Sequence, residues 1–442
     1  MDTLESGVSL NFKWILILEA VFAGVYISLT RGLFVIYLVS IGYRIEEISL
    51  VVFISALASL LISIFLYKRP SFIVKRVKLK LLSFHALERI MWLLIPMTTT
   101  GLLVSALYSA YMIFSALIST FLAFTIYGSF KEDDIRDVTA KRSAASGVSS
   151  ILGFALGVLL LAFLVTDQFS YIFPLGSLLG LMSTFLIAFL NLSHLEGESF
   201  PQVVEKPEKI FSASSYLVVF LASSNFLGIV WVPYVMTNLN GPDYLAASMS
   251  LAGTLSSIIA SLFWRKKAFK TLRFGLALNT LGPLLVWATQ WAYLHVPINA
   301  YTGFTSTGAN FLGTFLFAKY NKWFGAVKSS VLLVILGNIA QLIASPLAIL
   351  LGGSYSIIFL TIFAIKSIAV VLAVLTIPET AVVSEDVAST YSQVLYSNSL
   401  LGYRIAVVVS RESILTTLRI LALSLVIAGL YLIYRVLWMI IG

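Results

Sequence analysis

The chain has 442 residues and no cysteine. That excludes disulfides, thiolate metal sites and a cysteine nucleophile. Histidine is nearly as scarce. His85, His194 and His295 lie far apart, with no i,i+4 pair among them, so no zinc or iron site is expected. No G-x-x-x-x-G-K run followed by Ser or Thr occurs, which removes nucleotide hydrolysis by a P-loop. With no catalytic constellation, the expectation is a protein without cofactor and without enzymatic activity. The N-terminal "MDTLESGVSLNFKW" lacks a basic stretch followed by a small-residue cleavage site, and is expected to be a retained tail. Charge is the largest shortage. Only 11% of residues are Asp, Glu, Lys or Arg, against about 25% in soluble domains. Hydrophobic residues make up 59% and the mean hydropathy is +0.98. There is too little polar surface to cover a water-soluble globule, so lipid must be the solvent. The expected fold class is an all-α polytopic membrane protein.

About 20 helical residues cover the hydrocarbon core, and apolar runs of that length recur. The first set lies near 12–40, 46–66, 79–97, 101–127, 143–165 and 170–192. After "SHLEGESFPQVVEKPEK" a second set follows near 211–236, 244–264, 271–291, 297–318, 327–351 and 355–377. A more polar stretch then leads to a thirteenth apolar run near 414–438. The expected divisions are an N-terminal six-helix half over 1–193, a linker over 194–210, a C-terminal six-helix half over 211–378, and a polar segment with an extra helix over 379–442.

Internal similarity supports a 6+6 duplication. "ISALASL" at 54–60 matches "MSLAGTL" at 249–255, each in a second span. "LYKR" at 66–69 matches "FWRK" at 263–266, where those spans end. "TFLAF" at 120–124 matches "TFLFA" at 314–318, each late in a fourth span. "ILG" recurs at 151–153 and 335–337, in each fifth span.

The net charge of +9 does not point to nucleic acid, because the basic residues gather in a few loops. Lys68, Arg69, Lys75, Arg76, Lys78 and Lys80 occupy one, and Arg265, Lys266, Lys267, Lys270 and Arg273 its counterpart. Lys319, Lys322 and Lys328 follow the tenth span. The positive-inside rule then puts the N-terminus and linker in the cytoplasm of a cell bounded by this membrane. It puts the C-terminus outside if the last run spans; a helix lying on the surface is the alternative.

The 6+6 pattern, the paired loops "YKRPSFIVKRVKLK" and "WRKKAFKTLR", and "FKEDDIRDVTAKRSAASGVSSILGFALG" at 130–157 together resemble the major facilitator superfamily over residues 10 to 380. The first basic loop has neither the glycines nor the aspartate usual there. The fifth span keeps Gly147, Gly153 and Gly157 but not the antiporter proline. The extra C-terminal helix lies outside the common pattern. The resemblance implies a midplane cavity lined by the first, fourth, seventh and tenth spans, with two halves rocking around it. It also implies that the basic loops either latch the cytoplasmic side through acids such as Glu132, Asp133 and Asp134, or simply meet lipid headgroups.

Few ionisable residues fall within spans, and each is a functional hypothesis. Glu19 and Arg31 share the first span. They sit about 18 Å apart along the axis and point about 120° apart, so they cannot pair. Arg31 suits a carboxylate or phosphate on a substrate; its other role is to pair with Glu88. Glu19 is either a proton carrier or a hydrated residue at the cavity mouth. His85, Glu88 and Arg89 lie in the third span. As neighbours, Glu88 and Arg89 should face each other poorly, so a partner on another helix, Arg31 or Glu19, is expected. The group is then a buried network or a proton relay. Lys366, central in the twelfth span, has no evident partner. The uncharged lining is expected from Tyr26, Tyr108, Tyr111, Asn225, Trp231, Tyr234, Tyr301, Thr305 and Asn310, with Pro233 a kink in the seventh span.

The functional expectation is a secondary transporter moving a small solute, anionic or zwitterionic by preference, with proton coupling through Glu19 or Glu88. The alternatives are a lipid or lipid-linked sugar flippase, and a non-transporting receptor or assembly protein docking through the C-terminal helix. The expected partners are a solute, membrane lipids and, for the last alternative, a protein.

Overall fold

A computed structural model describes residues 10–405 apart from 99, 131, 165–166 and 198–206, together with 411–412 and 416. Most of the linker and almost all of the thirteenth apolar run lie outside the described residues. So do the side chains of Glu132 and Asp133. Asp134 is exposed and makes no ion pair with the basic loops among the described residues.

The architecture is all-helical. The N-terminal elements are α1 (Leu10–Leu29), α2 (Phe34–Ser40), α3 (Ile45–Lys68), α4 (Val77–Leu94), α5 (Gly101–Ser129), α6 (Glu132–Phe163) and α7 (Gln168–Ala188). The C-terminal elements are α8 (Pro207–Pro233), α9 (Asp243–Trp264), α10 (Phe269–Asn279), α11 (Gly282–Ala288), α12 (His295–Leu351) and α13 (Tyr355–Thr376). A further helix, α14, runs over 385–405. Nine helical stretches among the described residues are long and apolar enough to cross a bilayer. The chain is a multi-pass membrane protein. Of the three remaining expected spans, α4 carries Lys78, Lys80, Glu88 and Arg89, and the ninth is broken into α10 and α11.

The third is the tenth span, which the structure does not separate from the eleventh by a loop. Helical backbone continues through residues 319–328. A straight helix of 57 residues would be about 85 Å long. Yet His295, at its start, packs 5.8 Å from the ring of Tyr234, and Tyr355, just past its end, packs 4.9 Å from the same ring. Both ends therefore meet at one residue, and α12 folds back on itself to supply two antiparallel spans.

Two other spans are broken rather than continuous. After Leu29 the chain leaves the α conformation at Thr30 and makes a 3-10 turn over Arg31–Leu33 before α2 begins. Thr30 turns both its N–H and its hydroxyl onto the Tyr26 carbonyl. Gly32 permits the turn to press on α6, since a Cβ there would sit 2.6 Å from the Phe154 ring. The ninth span breaks at Thr280. Pro283, which has no N–H, cannot continue the ladder back to the Asn279 carbonyl. Pro233 ends α8, and a π turn over Tyr234–Asn238 follows, the widened turn a missing donor invites.

The seams between the two halves have the symmetry a duplication produces. The second span of the first half, α3, packs on the return limb of α12, the fifth span of the second half. Conversely α6, the fifth of the first half, packs on α9, the second of the second. Asn338 donates to Ser59 at 2.9 Å across the first seam. Gly147 faces Ile258 across the other.

The core is distributed unequally across the membrane. Away from the basic loops, one hydrophobic cluster joins Phe34, Tyr37, Trp92 and Tyr108 of the first half to Phe226, Trp231, Leu245 and Phe359 of the second. On the side of the basic loops the core divides. Phe12, Leu66, Val77 and Phe121 belong to one cluster, whose sole buried second-half member among the described residues is Val331. Ile210, Tyr216, Trp264 and Leu272 belong to the other.

Candidate functional site

Two cavities open between the helices, of about 510 Å³ and 560 Å³, within the range of small-molecule sites.

The smaller belongs to the N-terminal half and holds Glu19, His85, Glu88, Arg89 and Arg142 in its wall. Their charges are satisfied pairwise. Glu19 forms an ion pair with Arg142 of α6 at 2.8 Å, off the line of a well-formed hydrogen bond. Arg89 pairs with Glu88 itself. The expectation that these neighbours face each other poorly is thus corrected, because the side chains are long enough to curl around the helix and meet. The rest of the guanidinium is spread over α7 and α1. Nη2 donates to Ser183 at 3.1 Å, Nε lies 3.3 Å from the Gly180 carbonyl, and the group stacks 4.5 Å from the Tyr26 ring centroid. Ser177 closes the network by donating to the Arg89 carbonyl at 2.7 Å. His85 is fully buried, and among the described residues neither ring nitrogen has a hydrogen bond.

α1 reaches this arrangement through glycine. A Cβ on Gly24 would lie 2.4 Å from the Ser146 carbonyl of α6, and one on Gly180 would strike the Tyr26 ring at 2.8 Å. The close helix contacts bring Arg142 and Arg89 onto α1.

Arg31 pairs with neither Glu88 nor Glu19. Among the described residues no carboxylate lies within ion-pair distance of it. It sits near the middle of the first span, yet its side chain is exposed. Its electrostatic neighbours are the phenols of Tyr111, Tyr108 and Tyr26, with Tyr111 in hydrogen-bonding reach. All three tyrosines are buried, so the guanidinium faces an interior space rather than lipid. The Tyr26 hydroxyl lies near Thr30 and Trp92 without a well-formed bond.

The larger cavity is lined mainly by the C-terminal half, with Gly32, Gly147 and Phe154 contributed by the first. Lys366 projects into it from α13, 2% exposed. Its ammonium donates to Asn279 Oδ1, at the break in the ninth span, and lies 5.6 Å from the Phe220 ring centroid. Asn279 in turn donates to Thr305 Oγ1 at 2.9 Å and to the Thr302 carbonyl at 3.3 Å. Hydroxyls, amides and glycines fill the remaining wall: Ser224, Ser257, Asn299, Ser306, Gly253 and Gly303. A Cβ on Gly303 would lie 2.5 Å from the Gly253 carbonyl, so that pair fixes the approach of α12 to α9.

The structure brings together only part of the uncharged set expected from sequence. Tyr26 lines the first cavity and Trp231 the second; Tyr108 and Tyr111 surround Arg31; Thr305 holds Asn279. Asn225, Tyr234, Tyr301 and Asn310 are absent from the described lining of either cavity. Tyr301 donates to the Leu278 carbonyl at 2.6 Å, and Asn310 is exposed. Tyr234 packs with His295, Tyr355 and Phe359 at the closed side. There Trp231 donates to His295 Nδ1 at 2.9 Å. Arg142 and Asn279 are candidate functional-site residues that the sequence alone does not mark. The nearest signal for the first is an arginine at the entrance to a glycine-rich helix, and for the second an asparagine just before a Gly-Pro break.

The chain shares its fold with a nucleoside transporter. A crystal structure of NupG matches 83% of this chain and 98% of its own, at TM-score 0.60 and 9% identity. That of a point mutant of NupG matches 82% of this chain and 98% of its own, at TM-score 0.61 and 11% identity. No known family profile matches the sequence, and no curated protein matches it.

Proposed function

We propose that the protein is a secondary active transporter of the major facilitator type, which moves a small solute across the plasma membrane by alternating access and performs no chemical step. The observation that carries this reading is the unequal core. The halves share one hydrophobic cluster on one side and keep largely separate clusters on the other, with a polar cavity lined by residues of both halves. A barrier closed on one side and parted on the other is one of the two end states such a cycle needs. The positive-inside pattern makes the parted side cytoplasmic, with the N-terminus there. The moving bodies are residues 1–193 and 211–378, joined by the linker over 194–210, and the segment over 379–442 is an appendage to the second.

Proton coupling is assigned to Glu19. Its carboxylate ties α1 to α6 through Arg142. Protonation would release Arg142 and loosen that crossing, which links proton occupancy to helix position. The experiment is proton-coupled uptake in proteoliposomes under an imposed potential, comparing the unaltered chain with Glu19→Gln. Solute-dependent proton entry lost in the variant supports both the transporter and its coupling. Uptake indifferent to the substitution removes the coupling. Failure to move any solute, together with scrambling of fluorescent lipid, would replace the reading with a flippase.

A further inference from the structure

We propose that Arg31 and Lys366 form a two-cation binding site, one cation from each half, and that the solute is a small organic anion: an acidic group on a hydroxylated body. The proposal rests on the transporter reading and specifies its substrate class.

The charge inventory of the interior leads to it. Glu19 has Arg142 and Glu88 has Arg89, so the four charges of the N-terminal cavity cancel. Among the described residues, Arg31 and Lys366 are left over. Around Arg31 stand phenols; Lys366 is held by an amide oxygen and the face of a phenylalanine. Neither contact carries a compensating charge. A cation at mid-membrane depth is costly and marks a functional position by default. Two of them without a carboxylate of their own favour an anion as the missing counter-charge, although Arg31 itself is absent from the described lining of either cavity and only its neighbour Gly32 lines that of Lys366.

Position agrees with charge. Arg31 opens the 3-10 turn that breaks the first span, and Lys366 is anchored on Asn279 where the ninth span breaks. Interrupted spans are where transporters of this kind hold their cargo. Gly32, the residue after Arg31, lines the same cavity as Lys366. A solute bound there would touch both halves at once. The rest of the wall describes its body: Ser224, Ser257, Asn299 and Ser306 offer hydrogen bonds, and Trp231 and Phe154 offer flat apolar faces. A guanidinium suits a carboxylate or a phosphate bidentately, and an ammonium binds either as a point charge.

The test is ligand binding to the purified full chain in detergent, followed by thermal shift and tryptophan fluorescence. The probes are adenosine, its 5′-monophosphate and glucuronate. The expected result is binding of one or both acids, weakened by salt, and at least about tenfold weaker binding of the neutral nucleoside. Binding by the monophosphate alone identifies a phosphate site, and by glucuronate alone a carboxylate site. Arg31→Gln and Lys366→Gln should each weaken the acid by about tenfold or more, while Arg31→Lys and Lys366→Arg retain part of it. Should the glutamine variants fail to fold, Asn279→Asp decides. It supplies Lys366 with a carboxylate in place and should abolish acid binding in a folded protein. Adenosine binding as tightly as its monophosphate, acid binding indifferent to both substitutions, or no binding by any probe overturns the inference. Acid binding lost in the variants but no movement of the acid into vesicles would keep the site and remove the transporter reading instead.

Discussion

The two cavities are built on opposite electrostatic plans. In the N-terminal one every cation has a carboxylate of its own, and Arg89 has two helices' worth of further partners. In the C-terminal one a lone ammonium leans on an amide among hydroxyls. Paired charges at a crowded helix crossing hold α1, α4, α6 and α7 in one geometry. An unpaired charge holds nothing of the kind and is available to something that arrives. The same residue type, a buried base in a membrane helix, is thus paired with a carboxylate in one half and with an amide in the other.

The sharpest way to break this contrast is to remove each base and compare unfolding in detergent. Arg89→Leu leaves Glu88 buried without its partner and should cost about 3–5 kcal/mol, part of which returns in the Glu88→Gln, Arg89→Leu double variant. Lys366→Met removes a charge that no carboxylate answers. It strands only the Asn279 oxygen, and should cost less than about 2 kcal/mol. Equal losses at the two sites would end the distinction. Between these lies Gly303→Ala. Its Cβ meets a backbone oxygen rather than a movable side chain, so about 1–3 kcal/mol should be lost, read as a lower midpoint of thermal unfolding.

Smaller effects are expected at the closed side, where the halves agree with each other. Trp231→Phe removes the bond to His295 and should weaken that closure by about 1 kcal/mol. The absence of cysteine gives a clean readout, because Tyr355→Cys is then the sole thiol and its labelling rate reports opening. Acid should act the same way. His295 Nδ1 accepts from Trp231, and Nε2 lies 3.1 Å from the Thr289 carbonyl. The ring is therefore neutral, with its proton on Nε2, and a second proton on Nδ1 must break the Trp231 bond. Labelling should rise as the pH on that side falls, and the rise should vanish in the Trp231→Phe background.

Span positions were legible in the sequence because twenty apolar residues are their own signal. The duplication was legible because matching fragments fell at matching places. Partners were not. Glu19 finds Arg142 because glycines let α1 and α6 touch, and nothing at position 19 specifies a helix more than a hundred residues later. Lys366 looked partnerless because Asn279 lies 87 residues away, in a span whose break only Gly282 and Pro283 announced. The pairing of Glu88 with Arg89 ran against a rule written for side-chain directions at Cβ, and long flexible side chains escape it. Tyr301 and Tyr234 were expected in the lining on residue type alone, and type does not choose a face.

The folded-back course of α12 has a mechanical consequence. The tenth and eleventh spans are joined by helical backbone rather than by a slack loop, and their two ends converge on Tyr234. Pulled from the C-terminus by a cantilever, such a pair has no loose segment at which to part. The two spans should leave the bilayer in one event, as a single hairpin of 57 residues, where spans joined by ordinary loops would come out one at a time.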